Sequence, residues 1–438
     1  MQSQYGCHVM AKPSGSICNI DCEYCFYLEK DKLYPERNAH WKMSDETLVQ
    51  YIKQQIDAQP GNQVDFAWQG GEPTLLGLDF YRRVVELCEE FKQAKTITHS
   101  FQTNGLLIDE EWCHFFKQNN FLIGLSIDGP KEAHDYYRVT RSKKPTHEKV
   151  VAAAKLLKSY GIKFNTLTVV NDKNVKQPKQ VYQFLKELGS THLQFIPIVE
   201  RLDNQPLSDR ITLAGPDQDH EVMAPWSVKP KEYGQFLTDI FDQWVEQDVG
   251  TIFVQTFDST LASWLGQPAG VCLFAKECGH SFALEANGDL YQCDHYVYPE
   301  YKLGNIHIQD ISSMNNSARA IKFGKDKSTN LNSDCKQCRY KFACFGGCPK
   351  HRFSHSPNGL PHHNYLCSGY HHYFTHTESA MKIMAFLVNQ QRPASEIMTF
   401  MRQKNQRSEG DITSKSIGRN SPCSCGSGRK SKKCCHSN

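Results

Sequence analysis

Eighteen cysteines in 438 residues are the first sign of chemistry, and their placement says more than their number. Cys18, Cys22 and Cys25 form a CxxxCxxC run. Cys272, Cys278, Cys293, Cys335, Cys338, Cys344, Cys348 and Cys367 form a second set, and Cys423, Cys425, Cys434 and Cys435 a third. Only Cys7, Cys88 and Cys113 stand apart, and these read as small buried side chains. The start, MQSQYGCHVMAKP, shows no secretory signal, so the thiols are expected to stay reduced and to serve metal or redox chemistry. Three thiolates on one loop can wrap a four-iron cube and leave one iron open to a small molecule. Tetrahedral zinc is the alternative there, although it normally wants a fourth ligand. Eight thiolates suffice for two fully ligated cubes or for two four-cysteine zinc sites, and the two differ because zinc cannot move electrons.

The elements that must position these side chains follow from hydrophobic spacing. VDFAWQ (64–69), ITHSFQT (97–103), FLIGLSI (121–127), FNTLTVV (164–170) and HLQFIPIV (192–199) read as buried strands. Between them 45–59, 79–94, 110–119, 148–160 and 177–188 carry the polar–apolar mix of amphipathic helices, with Ser44 as an N-cap and Gly61, Gly105 and Gly161 at the breaks. Alternating strand and helix predicts parallel βα units, as a doubly wound sheet or a full or partial barrel. Strand-end motifs then converge on one rim, at the C-terminal ends of the strands. A polar, proline-bearing stretch around 200–230 reads as a long active-site loop or a crossing segment. Helical pattern resumes over 231–247. Short strands, glycines and cysteines fill 272–367, and a helix is expected over 373–389.

Several short motifs stand at the predicted strand ends. Gly70-Gly71-Glu72-Pro73 follows the second strand, Ser126 closes FLIGLSIDGP, Arg138 ends HDYYR, and Leu193 lies in HLQFI. In order behind CxxxCxxC with Tyr24 before its last cysteine, they resemble the radical S-adenosylmethionine superfamily, whose fold is a partial (β/α)6 barrel. The resemblance implies that Cys18, Cys22 and Cys25 hold a 4Fe–4S cluster whose open iron chelates S-adenosylmethionine, and that one electron then yields a 5′-deoxyadenosyl radical. It implies cofactor contacts at Tyr24, Gly70, Gly71, Glu72, Ser126, Arg138 and, more loosely, Leu193. The later C-x9-G-x4-C…CxxC-x5-C-x3-C…C pattern resembles the SPASM extension of peptide- and protein-modifying radical enzymes. By that pattern Cys272, Cys278, Cys293 and Cys348 hold a nearer auxiliary 4Fe–4S cluster, and Cys335, Cys338, Cys344 and Cys367 a farther one. The Cys293-Asp294-His295-Tyr296 context is similar to the anaerobic sulfatase-maturating enzymes. There the aspartate, here Asp294, is the base that takes the proton released as the substrate radical is oxidised.

The last cluster, Pro422-Cys423-Ser-Cys425-Gly-Ser-Gly, then Cys434-Cys435-His436, offers four sulfurs on a module too small for a core, so zinc would fold it. It resembles the zinc motif at the C-terminus of the SecA export ATPase, with His436 an alternative to Cys435 as ligand. From residue 402 onward nine Lys or Arg stand against two Asp or Glu, a tail that is either solvated or a surface for export or ribosome machinery.

The chain therefore divides into a radical core (1–235), a helical connection (236–271), an auxiliary-cluster domain (272–372), a C-terminal helix (373–402), a linker (403–420) and a zinc module (421–438). Fifty basic against 47 acidic residues, a formal net of +3, excludes reading the whole molecule as a polyanion binder. No apolar run approaches the ~18 residues of a membrane span, so no membrane insertion and a cytoplasmic location are expected. The resemblance implies oxidation of a Cys or Ser in an unfolded sulfatase to Cα-formylglycine, with electrons from a flavodoxin- or ferredoxin-type reductant. Two alternatives stand beside it: a peptide maturase forming thioether or carbon–carbon cross-links, and a non-catalytic iron–sulfur or zinc adaptor. Only 17 residues precede Cys18, too few for a leader-binding domain, and an adaptor needs no S-adenosylmethionine pocket.

Overall fold

The computed structural model describes residues 5–27, 30, 41–203, 213–216, 218 and 222–402. The expected linker and the cysteine module with Cys423, Cys425, Cys434, Cys435 and His436 lie outside these residues.

Strand β1 (His8–Lys12) opens a run of parallel βα units. Helix α1 (Asp45–Ala58) leads to β2 (Gln63–Trp68), α2 (Leu78–Phe91) to β3 (Thr96–Thr103), and α3 (Glu110–Gln118) to β4 (Phe121–Ser126). Then α4 (Lys131–Tyr137) and α5 (His147–Ser159) precede β5 (Phe164–Val170), and α6 (Pro178–Leu188) precedes β6 (His192–Pro197). The six strands neighbour one another in chain order, all parallel, as a partial barrel requires. The sheet does not close. At one edge β7 (Phe253–Val254) joins β6; at the other, β8 (Ser281–Glu285) runs parallel to β1, followed by antiparallel β9 (Asp289–Tyr291) and β10 (Lys302–Asn305). The auxiliary-cluster segment thus begins as a continuation of the barrel sheet, with Lys12 beside Glu285 in register.

Burial explains why these segments are strands. β5 alternates buried and half-buried residues along its length, whereas β2 ends in buried Phe66, Ala67 and Trp68, whose rings pack on Tyr51, Tyr81 and His99. Ser44 caps α1, its hydroxyl accepting from the Thr47 N–H at 3.1 Å. The expected helices are present to within a few residues; α4, only seven residues long, was not anticipated.

Outside the barrel, α7 (Pro230–Gln247) crosses the expected 235/236 boundary, and α8 (Gln255–Trp264) follows β7. The terminal helix α13 (Cys367–Asn389) begins earlier than expected, on a cysteine, after four short helices: α9 (Ile311–Asn315), α10 (Ala318–Thr329), α11 (Ser333–Gln337) and α12 (Lys341–Cys344). α13 reaches α7 through glycines: a Cβ on Gly369 would stand 2.1 Å from the Pro230 carbonyl oxygen, and one on Gly234 2.7 Å from that of Gly369. Without side chains there, the two helices approach backbone to backbone, tying Cys367 to the barrel. No helix among the described residues is long and apolar enough to cross a membrane.

Candidate functional site

The three-cysteine loop leaves β1 after Lys12 and is fastened to the loop after β2. Gly71 N–H donates to the Gly15 carbonyl at 2.7 Å and Glu72 N–H to that of Ile17 at 2.9 Å. A Cβ on Gly71 would lie 2.1 Å from the Ile17 oxygen; Gly70, at φ +134°, has Ser14 Oγ 2.8 Å from where its Cβ would be. The two glycines are there because two backbones touch. Glu72 is a brace: its buried carboxylate accepts from Thr74 N (3.1 Å), Thr74 Oγ1 (2.6 Å), Thr103 Oγ1 (2.7 Å) and Asn104 N (2.8 Å). Asn104 in turn donates to Asn19 Oδ1 at 2.7 Å, next to Cys18. The Glu72 side chain is therefore spent within the protein, which leaves the motif its backbone.

Across the rim, Tyr24 donates its hydroxyl proton to Asp128 Oδ2 at 2.5 Å and accepts from Arg138 Nη1 at 2.9 Å, while Arg138 lies 3.9 Å from Asp128 Oδ1. All three are buried. Asp128 was not anticipated; it sits two residues past Ser126, where the strand period places it on the same face. Burial pushes the Cys18 thiol up to about 12 and raises Cys22 as well, against the pull of the Arg138 guanidinium. Iron would replace those thiol protons, the usual coupling of metal binding to deprotonation. Ser126 Oγ accepts from Gln102 Nε2 at 2.7 Å.

Leu193 is not brought to this rim. It is the second residue of β6, 1 % exposed and packed in the main core, and at about 3.3 Å per residue Pro197 carries the strand end well beyond it. The residue past that end which stands with the cysteine loop is Ile198, in an apolar wall with Ile20, Cys22, Tyr24, Tyr137 and Trp226.

The eight later cysteines fall into two groups. Burial, and after it the charges of Cys348 and Cys272, raise the thiols of Cys278 and Cys293. Burial, and then Cys344, Cys335 and Cys338, push Cys367 up to about 12. Cys348 and Cys272 thus neighbour Cys278 and Cys293, and Cys344, Cys335 and Cys338 neighbour Cys367. The chain passes from one to the other through Phe345, Gly346 and Gly347, all at positive φ (45°, 73° and 61°). Among the described residues no three His, Cys, Asp or Glu side chains converge on a point fit for a single metal ion.

Asp294 connects the second set to the first. Its Oδ1 lies 2.5 Å from Lys12 Nζ, at the end of β1. Lys12 also donates to Gln69 Oε1 at 3.3 Å and stands 4.5 Å over the Tyr27 ring, whose hydroxyl donates to Glu285. Burial raises the Asp294 pKa, but Lys12 above all, with Lys30, outweighs it and holds the carboxyl below its usual range, hence ionised. His295 is kept neutral by burial, its pKa lowered to about 4, with Nδ1 3.9 Å from Cys348 Sγ. A second buried pair, Lys350–Glu200, ties the same segment to the chain after β6. Lys12 escaped the sequence reading; its only signal is a lysine ending an apolar strand. Replacing Lys12 with Met leaves the Asp294 carboxylate uncompensated and is expected to cost about 3 kcal/mol, read as a lowered urea midpoint, with Lys12→Arg recovering part of it. An unchanged midpoint for Lys12→Met would mean the pair is not formed.

Six parallel βα units, a three-thiol loop at their C-terminal rim and a cysteine-rich segment beyond define a radical S-adenosylmethionine enzyme with an auxiliary iron–sulfur domain. The Radical SAM superfamily is matched over residues 13–185, an iron–sulfur cluster-binding (SPASM) domain over 272–339 and the SEC-C motif over 419–437. The chain belongs to the anaerobic sulfatase-maturating enzymes, which convert a cysteine or serine to formylglycine. It is 47% identical over 390 residues to a serine-type anaerobic sulfatase-maturating enzyme of Bacteroides thetaiotaomicron, covering 89% of this chain and 94% of that one. It is 34% identical to a cysteine-type enzyme of Clostridium novyi, covering 86% and 96%. Among solved structures, native anSMEcpe with bound AdoMet and Cp18Cys peptide superposes with a TM-score of 0.75 at 33% identity, over 87% of this chain and 99% of that one. Streptococcus suis SuiB, at 14% identity and a TM-score of 0.54, shares the fold alone.

Proposed function

We propose that the rim built by Cys18, Cys22, Cys25 and the Gly70-Gly71-Glu72 backbone takes S-adenosylmethionine, and that the enzyme oxidises a Cys or Ser of an unfolded sulfatase at Cβ. The bound AdoMet and peptide of the anSMEcpe structure support both ligands. When bound, the clusters and S-adenosylmethionine supply the hydrogen-abstracting radical and the electron acceptor. This chain's residues do the rest. Tyr24, Asp128 and Arg138 lock the cysteine loop against β4 and α4, and Gln102 orients Ser126. Ile198 and Trp226 shield the site from water. Asp294, held ionised by Lys12, would accept the proton of the substrate thiol or hydroxyl as that residue is oxidised, beside Cys272, Cys278, Cys293 and Cys348, which would hold the nearer, electron-accepting cluster. Serine then yields the aldehyde directly, and cysteine a thioaldehyde that water hydrolyses with release of sulfide. Cys335, Cys338, Cys344 and Cys367 would hold the farther cluster, and a flavodoxin- or ferredoxin-type protein would serve as the reductant.

The observation that carries this reading is the Lys12–Asp294 pair, which brings the carboxylate beside Cys293 to the strand that opens the three-cysteine loop. The test is anoxically reconstituted protein with reductant, S-adenosylmethionine and a sulfatase peptide deuterated at Cβ of the target Ser or Cys. Deuterium in 5′-deoxyadenosine together with an aldehyde in the peptide is expected; unlabelled 5′-deoxyadenosine beside intact peptide rejects it. The match to the SEC-C motif supports zinc at Cys423, Cys425, Cys434 and Cys435 or His436, in a tail that meets export or ribosome machinery. The proposed site of action is the cytoplasm.

A further inference from the structure

Two cations are buried beside the auxiliary cysteine groups, and among the described residues neither has a carboxylate. Lys327, on α10, is 1 % exposed, and its ammonium donates to the carbonyls of Cys272 (2.5 Å) and Leu273 (3.0 Å). Arg352 is 8 % exposed and spends its whole fork on carbonyls: Gly346 (3.1 Å), Lys327 (2.6 Å), Phe345 (2.7 Å) and Gly347 (3.3 Å). Three of those four carbonyls belong to the left-handed turn that carries the chain from Cys344 to Cys348. Among the described residues no Asp or Glu is paired with either cation. Besides each other, the titratable groups that face them are cysteines: Cys278, Cys348 and Cys272 around Lys327, and Cys335, Cys278, Cys348 and Cys344 around Arg352.

A buried charge without a counter-ion costs several kcal/mol and does not persist unpaired. Carbonyl dipoles solvate such a cation but do not neutralise it. Four-thiolate iron–sulfur cubes do, because they carry net negative charge, and more of it once reduced. Lys327 faces chiefly the nearer group and also reaches Cys344 of the farther one, whereas Arg352 faces two cysteines of each.

We propose that Lys327 and Arg352 are the counter-charges of the two auxiliary clusters, Lys327 chiefly for the nearer and Arg352 shared, and that they raise the clusters' reduction potentials. The inference rests on the ligand sets proposed above. Adding one electron makes a cube more anionic, so a fixed buried cation favours the reduced state and suits the nearer cluster to receive the electron that leaves the substrate. Arg352, between the groups, serves the onward transfer as well.

The test is potentiometric titration of the reconstituted full-length protein, followed by the electron paramagnetic resonance of those clusters whose signal is insensitive to S-adenosylmethionine. Iron and sulfide are quantified in parallel. Lys327→Met and Arg352→Gln are expected to lower the reduced-to-oxidised ratio at fixed potential about tenfold, ~59 mV for a one-electron couple, while Lys327→Arg and Arg352→Lys stay near the unmodified protein. If the neutral variants lose auxiliary iron and the charge-conserving ones keep it, the counter-charge role also stands. Unchanged potentials at full iron content overturn it, as does equal iron loss in all four variants, which marks the side chains as turn scaffolding only. Unmodified protein without iron beyond one cluster refutes the ligand sets themselves.

Discussion

Asparagine in place of Asp294 is expected to separate the two halves of the reaction. Formylglycine formation should fall about 100-fold or more, the scale of a lost general base, while 5′-deoxyadenosine formation stays within a few-fold of the unmodified enzyme. The division follows from position. Asp294 adjoins Cys293 and pairs with Lys12, whereas the residues assigned to S-adenosylmethionine hang on Glu72, Asp128 and Arg138 across the rim. The amide keeps the shape of the carboxylate but cannot take up the substrate proton, so hydrogen abstraction proceeds and the radical is not oxidised. Quantifying 5′-deoxyadenosine and peptide aldehyde in the same reaction checks this, and equal loss of both would remove Asp294 from the role of base. Because Asn also leaves Lys12 without its partner, Lys12→Met combined with Asp294→Asn should cost less stability than the two single changes summed.

Alanine at Gly71 should have the opposite signature. The new Cβ would meet the Ile17 carbonyl oxygen at 2.1 Å and its carbon at 2.4 Å, and backbone cannot rotate away as a side chain can. The three-cysteine loop must therefore shift, breaking the 2.7 and 2.9 Å bonds that Gly71 and Glu72 make to it. Overpacking of this kind costs about 1–3 kcal/mol, and here it displaces Cys18 directly. The expected result is loss of S-adenosylmethionine cleavage by about 100-fold, with peptide oxidation falling in step because the radical is never made. Gly61→Ala, where nothing lies within 4 Å, is the matched control and should be neutral to within about 0.5 kcal/mol. Full 5′-deoxyadenosine yield from Gly71→Ala would show that the loop has room the geometry denies it.

What local pattern could determine, the sequence determined. Strand and helix periods are properties of neighbouring residues, and they placed five strands and five helices of the barrel within a few residues. CxxxCxxC and the later cysteine spacings name a ligand chemistry because loop-borne thiolates need so few other partners. α4 escaped because seven residues make too short a period to read, and Leu193 was carried over from a loosely defined position whose place along its strand no spacing shows. The charged pairings were decided by the tertiary structure alone. Lys12 meets Asp294 only because β8 docks beside β1, and Arg138 meets Asp128 and Tyr24 only because three separate rim segments converge. Lys327 and Arg352 come together only because the left-handed turn folds Cys348 back toward Cys278. A lysine or arginine in a sequence is most often a solvated surface group, and what makes it otherwise is burial, which depends on which distant backbone covers it.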